Sequence, residues 1–133
     1  MGNLGIAYKN LGEPRRAIEL YEQHLEIARQ IGDRPGEEAA LGNLGIAYAA
    51  LGEPRRAIEY HAQALEISRE IGDRRGEGEG NALWNMCLAY TQLGNKVQAK
   101  ALAQQALPIY QAIESPHAAT VKSWLDNPAR PHR

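Results

Sequence analysis

Four histidines, one cysteine, two arginine pairs and three asparagines at near-regular intervals are the residues of this chain whose chemistry stands out. Cys87 as a nucleophile needs a neighbouring base and an electropositive setting. His24, His61, His117 and His132 share no motif with it, and Cys87 itself falls on an apolar helix face. A single cysteine excludes an internal disulfide and a cysteine-based zinc site, and His24 and His61 lack the spacing of a helical zinc motif. The stretch GEGEGN at 76–81 has the glycines of a phosphate-cradling loop, but its acidic residues repel an anion and no strand precedes it. Arg15-Arg16 and Arg55-Arg56 stand four residues ahead of glutamates, Arg15 before Glu19 and Arg55 before Glu59, and read as solvated helical pairs. No catalytic residue, metal or cofactor is expected. What remains is Asn3, Asn43 and Asn85, whose carboxamides each offer a donor and an acceptor.

The elements that must position these groups follow from an internal repeat. Residues 2–37 aligned with 42–77, an offset of 40, match at 27 of 36 positions. GNLGIAY, LGEPRRAIE and IGDR all recur. A weaker third copy is shifted by 42, turning Leu44, Tyr48, Gly52, Ala57 and Leu65 into Met86, Tyr90, Gly94, Ala99 and Leu107. The two extra residues are expected around Glu79-Gly80. With 133 residues, 44% hydrophobic, 23% charged and a net charge of −1, the chain has the composition of one soluble domain.

Each copy reads as two helices. The triplets Leu4/Tyr8/Leu11, Leu44/Tyr48/Leu51 and Met86/Tyr90/Leu93 each fall on one helical face. Gly12, Gly52 and Gly94 suit the left-handed residue that ends a helix, and Pro14 and Pro54 suit a first helical position. The second helix of copy two is expected to bury Ala57, His61, Ala64, Leu65, Ser68 and Ile71, with Asp33 and Asp73 capping the helices that follow Gly32 and Gly72. Helices are expected at 2–11, 14–31, 34–51, 54–71, 81–93, 95–113 and 116–126, with no strand signal, so the class is all-α. Gly76, Gly78 and Gly80 each cost about 1 kcal/mol inside a helix, and residues 76–80 read as a frayed start or a hinge. Ser115, Pro116, Val121, Trp124 and Leu125 mark a terminal capping helix, with Trp124 in the core. The N-terminus has no such cap, so the chain is expected to start inside a repeat, either as part of a longer array or with its open face covered by another molecule.

The pattern Leu44-Gly45, Tyr48, Gly52, Ala57, Ala64 and Leu65 resembles the tetratricopeptide repeat, whose usual unit has 34 residues. Copy one matches with Leu4-Gly5, Tyr8, Gly12, Ala17 and Leu25, and copy three with Tyr90, Gly94, Ala99, Ala106 and Leu107. The 40-residue unit is similar to the long repeats of the spindle-orientation adaptors Pins and LGN and of many bacterial repeat proteins. The resemblance implies a right-handed α-solenoid of three helix hairpins plus a C-terminal capping helix. Its divisions are repeat 1 at about 1–32, repeat 2 at 33–72, repeat 3 at 73–114, the cap at 115–127 and a tail at 128–133. Gly45, Ala57 and Ala64 are expected to let helices approach closely, and Tyr48 to fill the space between neighbouring pairs. His24 departs from the family's alanine and is expected either to crowd the first pair or to use room left by the short first helix. Cys87 departs from its glycine but fits as a small buried residue.

The resemblance also implies that the first helix of each pair lines a concave groove. The groove positions are then Asn3, Ile6 and Asn10; Asn43 and Ile46; and Asn81, Trp84, Asn85, Leu88 and Gln92. A ladder of asparagines there can pair with the N–H and C=O groups of an extended peptide whatever its side chains; the other reading is that Asn3, Asn43 and Asn85 fix helix stacking. Trp84 is either a groove anchor or packing for the seventh helix. Lys9, beside these positions, is the only charged side chain read on this face, so the basic clamp for acidic chaperone C-termini is not expected. A net charge of −1 argues against nucleic acid as a partner. The lack of a ~20-residue apolar run and of a signal-peptide layout argues against a membrane and for a cytoplasmic location. The function read is a non-catalytic adaptor that binds a peptide segment of another protein. The alternative is a self-assembling module forming homo-oligomers through its open N-terminal face or by repeat exchange at residues 76–80.

Overall fold

The computed structural model describes residues 13–72 and 76–126. They form six α-helices and no strand: α1 (Pro14–Ile31), α2 (Arg34–Ala50), α3 (Pro54–Ile71), α4 (Glu77–Gln92), α5 (Lys96–Ala112) and α6 (His117–Asp126). Each packs on the next in sequence, and α2 also touches α4. The result is an all-α helical-repeat solenoid with hairpins α2–α3 and α4–α5 in succession. The first expected helix, at 2–11, lies outside the described residues.

Local chemistry sets the boundaries. Pro14 and Pro54 open α1 and α3, where the missing N–H has no carbonyl to serve. Asp33 caps α2 by accepting from the Gly36 N–H at 3.0 Å, and Asn95 caps α5 by accepting from Gln98 at 3.2 Å. Gly52 and Gly94, both at φ 83°, reverse the chain between the helices of a hairpin in a conformation that costs other residues a Cβ clash. Ser115 accepts from the His117 N–H at 3.1 Å and starts α6 one residue later than expected. Asp73 and Gly12 lie outside the described residues.

The core falls into two clusters along the array, with the half-buried Ile58 packed against both. Ala17, Tyr21, Leu41, Leu44, Ala57 and Ala64 fill the first part, and Leu83, Cys87, Ala99, Leu102, Tyr110, Val121 and Trp124 fill the second. Two expected core positions are wetter than their spacing suggests: Ile71 is 39% and Leu93 37% exposed. Both sit at the end of a helix, beyond the reach of the next hairpin. Ile67 is buried instead.

The close approach expected at Gly45 has a specific partner. A Cβ there would lie 2.5 Å from Cε1 and Nε2 of His61, so the imidazole occupies the volume that any side chain at 45 would take. In the next repeat the equivalent positions are Cys87 and Ala103, both fully buried. A larger residue on one helix is matched by a smaller one on the other, which is why the departure at Cys87 is accommodated.

Side-chain contacts refine or overturn several expectations. Tyr48 stacks on Tyr60 of its own hairpin, with ring centroids 5.3 Å apart and planes 7° from parallel, within a cluster that also holds Ala17, Ile18 and Tyr21 of α1. Arg56 is no solvated helical pair: its guanidinium lies 5.2 Å from the Tyr48 ring centre and donates to Tyr48 Oη at 3.0 Å. The expected Arg15–Glu19 and Arg55–Glu59 pairs do not form among the described residues, whereas Arg16 reaches Glu13 at 3.8 Å. Residues 77–80 are the first turn of α4 rather than a frayed start or hinge. Gly80 is buried where a Cβ would meet the Tyr110 ring at 2.9 Å, and Arg69 holds Glu79 at 2.9 Å. That ion pair repeats Arg29–Glu37, at 3.2 Å, in the preceding hairpin. Arg69 follows Arg29 by 40 and Glu79 follows Glu37 by 42, which brackets the two extra residues between Arg69 and Glu79.

Candidate functional site

Between α2 and α4 runs a groove floored by α3. Its larger cavity, of about 310 Å³, is walled by Glu38, Asn43 and Ile46 from α2, by Asn81, Trp84 and Asn85 from α4, and at one end by Tyr110 of α5 and His117 of α6. His61 and Ala64 of α3 form the floor. A second cavity, of about 180 Å³, continues past Ile46, His61 and Asn85 to Leu88 and Gln92. Helical periodicity produces this wall: Asn43 and Ile46 on α2, and Asn81, Asn85, Leu88 and Gln92 on α4, recur every three to four residues, one position round from the core stripe. Seven of the ten expected groove residues thus line one continuous cleft. Asn3, Ile6 and Asn10 lie outside the described residues.

The polar groups of the cleft differ in how they are engaged. Neither side-chain amide of Asn43 or Asn85 forms a hydrogen bond to a described residue. Asn81 accepts from the Tyr110 hydroxyl at 2.6 Å. That phenol is buried, and burial with the Glu77 carboxylate nearby pushes its pKa up to about 12. The Glu38 carboxylate accepts from Ser68 Oγ. Trp84 lines the cleft and also meets Trp124 of α6 in a T-shaped contact at 6.1 Å. Trp124 is buried, as expected of the cap.

His61 is the residue whose place in the cleft its spacing did not reveal. It was legible as a buried position of α3, yet it is also the floor of both cavities. It is 2% exposed, and its Nδ1 has no hydrogen-bond partner among the described residues. Burial lowers its pKa to about 4, so the imidazole is neutral at pH 7. His24, half-buried on α1, also has Nδ1 without a partner among the described residues.

Nothing in this arrangement assembles a nucleophile with a base. Cys87 is fully buried, and burial pushes its thiol up to about 12. Among the described residues no group of three His, Cys, Asp or Glu side chains is arranged to hold a metal ion, and no helix is long and apolar enough to cross a membrane.

The tetratricopeptide repeat family model matches residues 1–70 and 56–112. Among solved structures, the TPR domain of Arabidopsis FLU is similar over 83% of this chain and 91% of that one, at 25% identity and a TM-score of 0.78. The nearly identical TPR-like repeats of a putative kinesin light chain from Podosopora anserina match over 93% of this chain and 61% of that one, at 23% identity and TM-score 0.80. BtubC (BKLC) from P. vanneervenii matches over 89% of this chain and 48% of that one, at 24% identity and TM-score 0.79. In the last two cases the chain spans less than two thirds of its neighbour's length, and at these identities the likeness is one of fold. No curated protein matches the chain.

Proposed function

The chain belongs to the tetratricopeptide repeat family, and from that premise we propose that it is a non-catalytic protein-interaction module whose α2–α4 groove binds an extended segment of a partner protein. One observation carries the reading. Asn43 and Asn85 occupy the same position in successive repeats, face one cavity, and leave their amides unbonded to the described residues. A carboxamide with two donors and an acceptor free is poised for the backbone of a peptide, and a groove walled by Ile46 and Trp84 supplies apolar contact beside it. Helices pack about 8–10 Å apart and a strand rises ~3.3 Å per residue, so successive asparagines meet a peptide at intervals of about three residues or more. The other role considered for these asparagines, fixing helix stacking, finds no hydrogen bond to carry it among the described residues.

The test is a paired substitution, Asn43→Ala with Asn85→Ala, in the full chain. Selection from a displayed library of unstructured peptides identifies binders to the unaltered protein, and their affinity for the variant is then measured. Loss of two to four hydrogen bonds at ~1 kcal/mol each weakens binding at least about tenfold. Helicity and melting stay unchanged, because no described partner loses a bond. Unaltered affinity, or a melting shift as large as a core substitution, assigns the asparagines to structure and refutes the reading.

A further inference from the structure

Resting on the groove reading above, we infer that the segment it receives presents an arginine, whose guanidinium enters the cavity between Glu38 and Trp84. Of the Asp, Glu, Lys and Arg side chains among the described residues, only the Glu38 carboxylate lines this cavity. Glu38 lines it and forms no ion pair with a described residue, its carboxylate being engaged only by the Ser68 hydroxyl. Glu77, at the start of α4, acts on the adjacent Tyr110 and likewise has no cation partner among the described residues. The neighbouring glutamates are different: Glu37 is held by Arg29 and Arg34, and Glu79 by Arg69. No lysine or arginine lines either cavity.

The floor points the same way. His61 lines both cavities, but its Nδ1, without a partner among the described residues, is shut away from them, so the floor contributes a neutral ring and no cation. With the oxygens of Asn43 and Asn85, the cleft offers a carboxylate and two amide oxygens to a guest rich in donors. A guanidinium carries five N–H donors and no acceptor, and its plane stacks on an aromatic wall such as Trp84. An acidic side chain in the same place faces Glu38 without a cation.

Isotope-labelled protein titrated with capped Gly/Ser peptides carrying one central residue separates the possibilities. That residue is arginine, its neutral isostere citrulline, lysine or glutamate, and the readouts are the side-chain amides of Asn43 and Asn85 and the indole N–H of Trp84. The arginine peptide is expected to bind about fivefold more tightly than the citrulline peptide at about 20 mM salt, with the advantage shrinking as salt rises. Lysine falls between them, since its ammonium lacks the planar fork. Glu38→Gln, which can still accept from Ser68, removes most of the difference in affinity between the arginine and citrulline peptides. Equal binding of arginine and citrulline, or tighter binding of glutamate, overturns this inference and leaves the groove reading standing. If no peptide moves the three resonances, both fall.

Discussion

Replacing Gly45 by alanine separates a close approach that the fold requires from a glycine that is merely tolerated. In an exposed helix interior the change stabilises by about 1 kcal/mol, because alanine costs less backbone entropy. Here the new Cβ stands 2.5 Å from the His61 ring, which must retreat by roughly 1 Å to reach ordinary contact. Overpacking of this kind costs about 1–3 kcal/mol, and His61 is sealed on α3 with almost no exposure through which to relax. Gly45→Ala is therefore expected to destabilise by about 1–2 kcal/mol net. His61→Ala alone leaves a void and costs roughly 2 kcal/mol, its loss of packing offset in part by removing an unsatisfied nitrogen. The double variant imitates the Cys87–Ala103 arrangement of the next repeat: the new Cβ fills part of the void, the clash disappears and the helix-propensity gain returns. It should lie only about 1 kcal/mol below the unaltered protein, a coupling of roughly 2 kcal/mol against the sum of the singles. Urea unfolding followed by helical circular dichroism at pH 7.5, where His61 is neutral, measures all four corners of the cycle. Additivity within about 0.5 kcal/mol, or a stabilised Gly45→Ala, refutes the argument.

Two further outcomes follow from burial. His61 has a native pKa of about 4 against 6.5 unfolded, so the unfolded chain takes up a proton between these values and the native one does not. Its contribution is fully present above pH 6.5 and is lost as pH falls towards 4, by roughly 2–3 kcal/mol at pH 4.5. His61→Gln should flatten that part of the stability profile, and an unchanged slope between pH 7 and 4.5 would count against the assignment. Cys87, with its thiol pushed up to about 12, should react with a disulfide reagent at pH 8 at least about a hundredfold more slowly in the native protein than in urea. Equal rates would place the thiol at the surface.

Much of the fold was legible because it is local. The limits Pro14–Ile31 and Pro54–Ile71 match the expected helices residue for residue, since proline, glycine and an apolar stripe act within a few positions of the chain. The start of α4 was misread for the opposite reason. Propensity counts the cost of Gly78 and Gly80 in a helix, but the Tyr110 ring over Gly80 and the Arg69–Glu79 pair come from elsewhere in the chain and outweigh it. The Arg55-Arg56 pair was read as solvated from the spacing of Arg55 and Glu59, whereas the hairpin brings Tyr48 to Arg56 across the turn.

The candidate groove divides in the same way. That Asn43 and Asn85 share a face follows from a repeat and a helical period, both of which are properties of one dimension. Tertiary packing decided that Glu38, His61, Trp84 and Tyr110 border one cavity with them, because four helices must cross at particular angles before these side chains meet. Amino-acid order alone therefore determined the hairpins, the ends of α1 and α3 and the stripe that each turns inward. The depth of the cleft, the neutrality of its floor and the carboxylate left without a described cation arise only when those stripes close on one another.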